Sequence, residues 1–223
     1  MGKAMKASTI VNKLAASVSA RVQVLLDAGE HVASEFKKIN ELYQPEGKHR
    51  GSFERAVEAV KDQIDFDFLL KIIGKAKQDG ANDSNYVQAK VIEKINKLIF
   101  ALANKDLRAT DNHTRSLMVN AMLNGKLSSK AAFATLVKVE WGEDISEMLR
   151  ERNNYTAGTG STQLSSTKET MRILGLSINP KGTKNADFCF TDEGQALFCE
   201  RFERIAALVT KAEQIEEELS ENK

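Results

Sequence analysis

The sequence predicts a mainly α-helical fold with one small β-hairpin near its C-terminal end. Three observations carry this expectation. Only two prolines occur in 223 residues, so long helices can run uninterrupted. Apolar residues recur at intervals of three and four along most of the chain, the period of an amphipathic helix. One segment alone, NPKGTKN at 179–185, joins a Pro/Gly/Asn turn to short apolar runs on both sides, as hairpins do. A composition of 42 % hydrophobic and 28 % charged residues is that of a chain that buries a core, and the length allows two small domains.

Taken in order, Val11, Leu14, Val18, Val22, Leu25, Gly29, Val32, Phe36, Ile39 and Tyr43 follow one another by three or four positions. They predict one long, kinked amphipathic helix, with Gly29 costing about 1 kcal/mol of helix propensity on the apolar stripe. Such a seam wants a partner helix, and packing within the chain is favoured over packing between copies. Gln44 to Gly51 collects a proline and two glycines and reads as a loop. Phe53, Val57, Val60 and Ile64 then mark a helix, and Phe66 to Ile73 is apolar nearly all round, which suits the centre of a bundle. From Ser84 to about Asn104, Val87, Val91, Ile95, Leu98 and Leu102 predict another helix. These segments make residues 1–105 a helical bundle with antiparallel neighbours.

The polar stretch Asn104 to His113 has no helical period and is the expected boundary before a second domain at 111–223. Leu117, Met118, Ala121 and Met122 predict a helix closed by Asn124-Gly125, and Ser128 or Ser129 caps a run that ends at Trp141. Gly142 to Arg152 reads as one more short helix, and Asn153 to Gly160 as a glycine-containing loop. Leu164, Thr167, Met171 and Leu174 then share one face of a helix with Ser161 or Thr162 at its N-cap and Gly175 as its stop. Leu176 to Ile178 and Ala186 to Phe190 predict the two strands of the hairpin, whose tip carries Lys181 and Lys184. Thr191 caps a long terminal helix in which Phe198, Phe202, Ile205, Val209 and Ala212 keep a 4, 3, 4, 3 spacing, as in a coiled coil.

Helix, basic hairpin and helix in this order resemble the end of a winged helix-turn-helix domain, and that resemblance covers about a third of the chain. It implies a module that binds double-stranded DNA and pairs into a homodimer. The physical requirement is a helix with short polar side chains for the major groove, with cations on the flanking phosphates. Opposite its apolar face, the helix carries Thr162, Ser165, Ser166, Glu169 and Arg172, with Lys168 at the margin. Arg172 suits a guanine edge and Glu169 a cytosine amino group. Lys168 suits a phosphate, and Lys181 and Lys184 on the wing suit a minor groove or the backbone. Four cations, Lys168, Arg172, Lys181 and Lys184, thus stand against the single Glu169 over this stretch, although the whole chain carries a net charge of only +1. Such winged-helix regulators often dimerise through a terminal helix, which gives Phe198, Phe202, Ile205, Val209 and Ala212 as the expected dimer seam.

Other chemistries find little support in the sequence. Cys189 and Cys199 lack CxxC spacing and a paired histidine, so buried reduced thiols are expected, with no metal site. His31, His49 and His113 are scattered. The GTGST run at 158–162 lacks both a preceding strand and the lysine of a phosphate-binding loop. No cofactor and no catalytic set are expected. Lys3 and Lys6 precede an apolar stretch that Asn12, Lys13 and Arg21 interrupt, so neither a signal sequence nor a membrane span is expected, and the cytoplasm is the expected compartment. Two functions fit these features. The first is a homodimeric DNA-binding protein, either a transcriptional regulator or a replication or partition factor of a phage or plasmid. The second is a non-enzymatic helical adaptor, scaffold or inhibitor that meets a protein partner through its N-terminal helices.

Overall fold

A computed structural model describes residues 5–73, 82–128, 131–132, 157–178 and 187–221. The fold is mainly helical with a small three-stranded antiparallel sheet. In chain order the elements are α1 (Ala7–Asp27), α2 (Ala33–Glu41), α3 (Arg50–Val60), α4 (Phe66–Ile73) and α5 (Asn82–Asn104). A 3-10 turn (Leu107–Ala109), α6 (Asn112–Asn124), β1 (Lys126–Leu127) and α7 (Ala157–Ile173) follow. The chain then runs through β2 (Ser177–Ile178), β3 (Phe188–Phe190), α8 (Asp192–Arg201) and α9 (Glu203–Glu221).

The single long first helix expected from the periodicity is two helices. Gly29 adopts φ +70°, a left-handed conformation that ends a helix and that side-chain-bearing residues reach only with strain. The chain folds back there, so α2 lies along α1, and Asn40 and Gln44 donate to Ser19 Oγ at 2.8 and 3.0 Å. The apolar phase persists across the turn because both helices bury the same stripe. Val11, Leu14, Val18, Leu25, Phe36, Ile39 and Tyr43 are all buried inside this chain. Arg21 is buried with them; its guanidinium lies 4.7 Å from the Phe36 ring centroid and donates to the Ile73 carbonyl at 3.2 Å and to Gln88. Burial lowers its pKa to about 10.

Helix α5 is the spine on which both halves of the chain pack. One side meets α3, where Phe53 contacts Phe100 edge to face at 5.4 Å, and Tyr43 donates to Asn96 Oδ1 at 2.8 Å. Another side meets α7. The buried apolar residues of α1 to α5 and those of α6 to α9 form one cluster, so residues on both sides of the expected boundary share a core. The polar stretch between them is bonded to its surroundings. Asp106 accepts from the Arg108 amide at 3.0 Å, and Asp111 caps α6 by accepting from the Thr114 amide at 3.1 Å.

In the sheet, β3 is central, although it comes last in sequence. Its Phe188 and Cys189 pair with Leu127 and Lys126 on one side, and Cys189 and Phe190 pair with Ile178 and Ser177 on the other. Strand β1 follows directly on Gly125, at φ +66°, which closes α6. Phe188, Phe190, Phe198 and Phe202 contact one another in succession at centroid distances of 5.1, 4.8 and 6.3 Å, the first two pairs edge to face and the last stacked. Thr191 caps α8 through the Gly194 amide at 3.0 Å. A Cβ at Gly194 would collide with the Leu176 carbonyl oxygen, so only glycine lets α8 start this close to the sheet. The long terminal helix is also interrupted: Phe202 leaves helical geometry, with φ −125° and ψ 90°, which turns its ring into the core. The expected helices ending at Trp141 and Arg152 fall largely outside the described residues.

Candidate nucleic-acid interface

Helix α7 opens at Ala157, four residues before the expected Ser161 cap, so the glycines at 158 and 160 lie within its first turns. Its described circumference divides cleanly. Leu164, Ser166, Thr167, Thr170, Met171, Ile173 and Leu174 are buried, whereas Thr162 and Ser165 are exposed and Lys168, Glu169 and Arg172 are half-buried. At about 100° per residue the outward arc spans roughly a third of the helix, centred on Ser165. Five of the six α7 positions expected to face DNA therefore share one outward stripe.

Ser166, expected on the outward face, is the exception. It is only 1 % exposed, and its hydroxyl donates to the Gln163 carbonyl at 3.0 Å. The physical reason lies in α5. A one-sided apolar face predicts that everything opposite it is open, but α7 is covered on two adjacent sides. Next to Ser166 in space, Thr170 Oγ1 donates to the Ser166 carbonyl at 2.9 Å and reaches the Val91 carbonyl of α5 at 3.4 Å. Serine and threonine sit on this second buried face, so hydrophobic periodicity does not reveal it.

The charges of the stripe are already engaged. Arg172 Nε donates to Glu169 Oε2 at 2.7 Å and a second nitrogen to Oε1, while the guanidinium lies 5.4 Å from the Phe68 ring centroid. Donating to Glu169 raises the arginine pKa, and the ion pair neutralises the one carboxylate of the stripe that phosphate would repel. Lys168 lies over Phe188 of the central strand β3, its Nζ 6.0 Å from the ring centroid. Burial lowers its pKa, and the nearby Asp187 carboxylate partly offsets that. Asp187 in turn pairs with Lys126 of β1 at 2.8 Å. Lys181 and Lys184 lie outside the described residues.

Most of the expected dimer seam packs inside the single chain. Phe198, Phe202 and Ile205 are 0, 2 and 1 % exposed within the single chain, and Val209 is partly buried against the same core. A side chain packed inside its own fold has no surface left for a second copy. The 4, 3, 4, 3 spacing marks an intrachain contact here, with Ala212 alone beyond it.

Two features had no counterpart in the sequence reading. Strand β1 is two residues long, too short for any alternating pattern. The other is a cleft of about 280 Å³ between the 3-10 turn and the α8–α9 junction, where Lys105, Arg108, Arg201 and Arg204 stand against Asp106 and Glu203. These cations come from segments nearly 100 positions apart, so a local charge count could not assemble them. Among the described residues no group of histidine, cysteine and carboxylate side chains could hold a metal ion, Cys189 and Cys199 are free half-buried thiols, and no helix is long and apolar enough to cross a membrane. No family model matches the chain, and no curated protein or solved structure matches it either.

Proposed function

We propose that this chain is a non-enzymatic, cytoplasmic protein that binds double-stranded DNA, acting as a transcriptional regulator or as a replication or partition factor of a phage or plasmid. The observation that carries the reading is the outward stripe of α7. It presents two small hydroxyls, Thr162 and Ser165, beside Lys168 and the Arg172–Glu169 pair, and α7 runs directly into the β2–β3 hairpin with its two lysines. Short side chains admit a helix to the major groove, and basic groups on both flanks neutralise phosphates. The connectivity supports the same reading. Among the described residues, α6, β1, α7, then β2 and β3 with β3 in the middle follow the order of a winged helix, with residues 133–156 outside the description, and on this reading α7 takes the recognition position.

A protein-binding adaptor is the second reading, and one observation favours it. A groove of about 430 Å³ between α2 and α5 has Ile39, Leu42 and Phe100 among its lining residues, together with Glu35, Lys38 and Lys90. The long N-terminal seam itself is closed within the chain, and this groove offers that half an apolar contact. The test is a fluorescence titration of mixed-sequence duplex DNA at low and moderate salt, with the wild type and a Lys168→Ala, Arg172→Ala, Lys181→Ala, Lys184→Ala variant. DNA binding predicts a steep fall in affinity with salt and its loss in the variant. Equal behaviour of the two proteins would favour the adaptor.

A further inference from the structure

The cleft beside the 3-10 turn has no lining residue from α7 or the hairpin. Its walls bring Lys105, Asp106 and Arg108 up to Arg201, Glu203 and Arg204 of the α8–α9 junction, around about 280 Å³. Four cations face two carboxylates there, a local excess of two positive charges. Arg201 donates to the Ala59 carbonyl at 3.2 Å and lies 3.3 Å from Glu200, and Arg204 has interactions of its own. Lys105 and Arg108 differ: both are exposed, and neither side chain has an ion pair or hydrogen bond among the described residues. Lys105 also closes α5 at φ +55°, the one positive φ of a non-glycine among the described residues. Its amide donates to the Leu102 carbonyl at 3.4 Å and that of Asp106 to the Ala101 carbonyl at 3.0 Å. Glycine is the usual residue at this point of such a helix end, so lysine sets a cation on the cleft while straining the backbone.

We propose that this cleft binds the phosphate group of a small, hydroxyl-bearing ligand of the sugar-phosphate class. A phosphate dianion matches the excess of two positive charges, and Lys105 and Arg108 supply uncommitted donors for charge-assisted hydrogen bonds. The N-terminal turn of α9, which includes Glu203 and Arg204, adds partial positive charge. Asp106 and Glu203 select the source of the phosphate. They repel a continuous polyanion such as the DNA backbone, whereas they accept hydrogen bonds from the hydroxyls of a small ligand. The cleft volume lies at the small end of ligand sites, as such a molecule requires. The site does not depend on DNA binding by α7.

The test is amide chemical-shift mapping of the labelled full chain with ribose 5-phosphate at constant ionic strength. Saturable shifts are expected at Lys105, Arg108, Arg201, Glu203 and Arg204, with far weaker ones from ribose. Lys105→Gly should weaken binding by about tenfold and melt no lower than the wild type, because glycine takes a positive φ without strain. A lysine that served only the helix end would leave the affinity unchanged. Arg108→Ala should weaken binding by a similar factor. A short DNA duplex separates the two sources of phosphate. Cleft shifts with the duplex and none with ribose 5-phosphate would assign the phosphate to nucleic acid and overturn the proposal. So would the absence of saturable shifts, shifts that ribose alone reproduces, or an affinity indifferent to both substitutions. Duplex-induced shifts on α7 bear on the DNA reading alone, so the two readings fail separately.

Discussion

Lys94 Nζ lies 2.6 Å from Asp111 Oδ1, with the two side chains only 6 and 16 % exposed. This pair joins the spine helix α5 to the cap of α6 across the stretch that reads in sequence as a boundary. Asp111 also contacts His113 Nδ1 at 3.2 Å and accepts from the Thr114 hydroxyl at 2.7 Å. Burial opposes its charge, but the hydrogen bonds from His113, Lys94 and Thr114 and the Lys94 charge hold the carboxyl well below the usual range. Lys94→Met would leave that carboxylate buried without its main partner, and is expected to cost about 3 kcal/mol in urea unfolding. Lys94→Met combined with Asp111→Asn should recover most of the loss, because neither charge is then stranded.

The same carboxylate makes a pH prediction. Its pKa is depressed on folding from an ordinary value of 3.8. The folded state therefore binds fewer protons than the unfolded one, and Asp111 contributes stability that is complete well above that value and drains as acidity increases below about pH 5. Asp111→Asn is expected to be less stable at neutral pH and to show a flatter acid limb. Equal acid slopes in the two proteins would contradict the assignment.

Thr167 tests the buried side of α7. It is 0 % exposed, and its hydroxyl has no hydrogen-bond partner among the described residues. Thr167→Val keeps the shape and removes the stranded hydroxyl, so it should stabilise the protein by about 1 kcal/mol in thermal or urea unfolding. A loss of stability would show that the hydroxyl is satisfied.

The Arg172–Glu169 pair sets the sign of a functional prediction. Glu169→Gln removes the charge that phosphate repels and releases the guanidinium, so duplex affinity at low salt should rise by about three- to tenfold. Arg172→Ala should lower it by a similar factor. Opposite signs for these two substitutions are the signature; weakening by both would mean that the ion pair is needed intact.

Much of the helical framework was legible because burial here follows period. Phe53, Val57 and Val60, or Ile95, Leu98 and Leu102, face a single core, and spacing alone reveals them. Three things escaped it. At Gly29 the period continues through a reversal, since a five-residue turn between antiparallel helices can preserve the phase of the stripe. At Ser166 and Thr170 a helix–helix contact is made by hydroxyl-bearing residues, which read as surface. Around Phe202 the apolar spacing marks core packing, and the same pattern would mark a dimer. Of the candidate site, the outward residues of α7 were legible and the flanking α5 was not, because that packing depends on contacts nearly 80 residues apart in sequence, such as Val91 with Thr170.

The glycines that shape these turns are testable in the same way. Gly29→Ala forces a Cβ into a left-handed conformation and should cost about 1 kcal/mol. Gly194→Ala should cost more, because its Cβ also meets the Leu176 carbonyl. Chemical denaturation of the two variants side by side gives the order; a larger loss at Gly29 would mean that α8 can shift away from the sheet without penalty.

On the proposed function, the outward arc of α7 is the surface that meets DNA. Amide chemical-shift mapping of the labelled protein during titration with a short duplex tests it most directly. Shifts should concentrate at Thr162, Ser165, Lys168, Glu169 and Arg172, with Ser166 and Thr170 far less affected. No shifts on α7, or shifts confined to the Lys105, Arg108, Arg201 and Arg204 cleft, would contradict it.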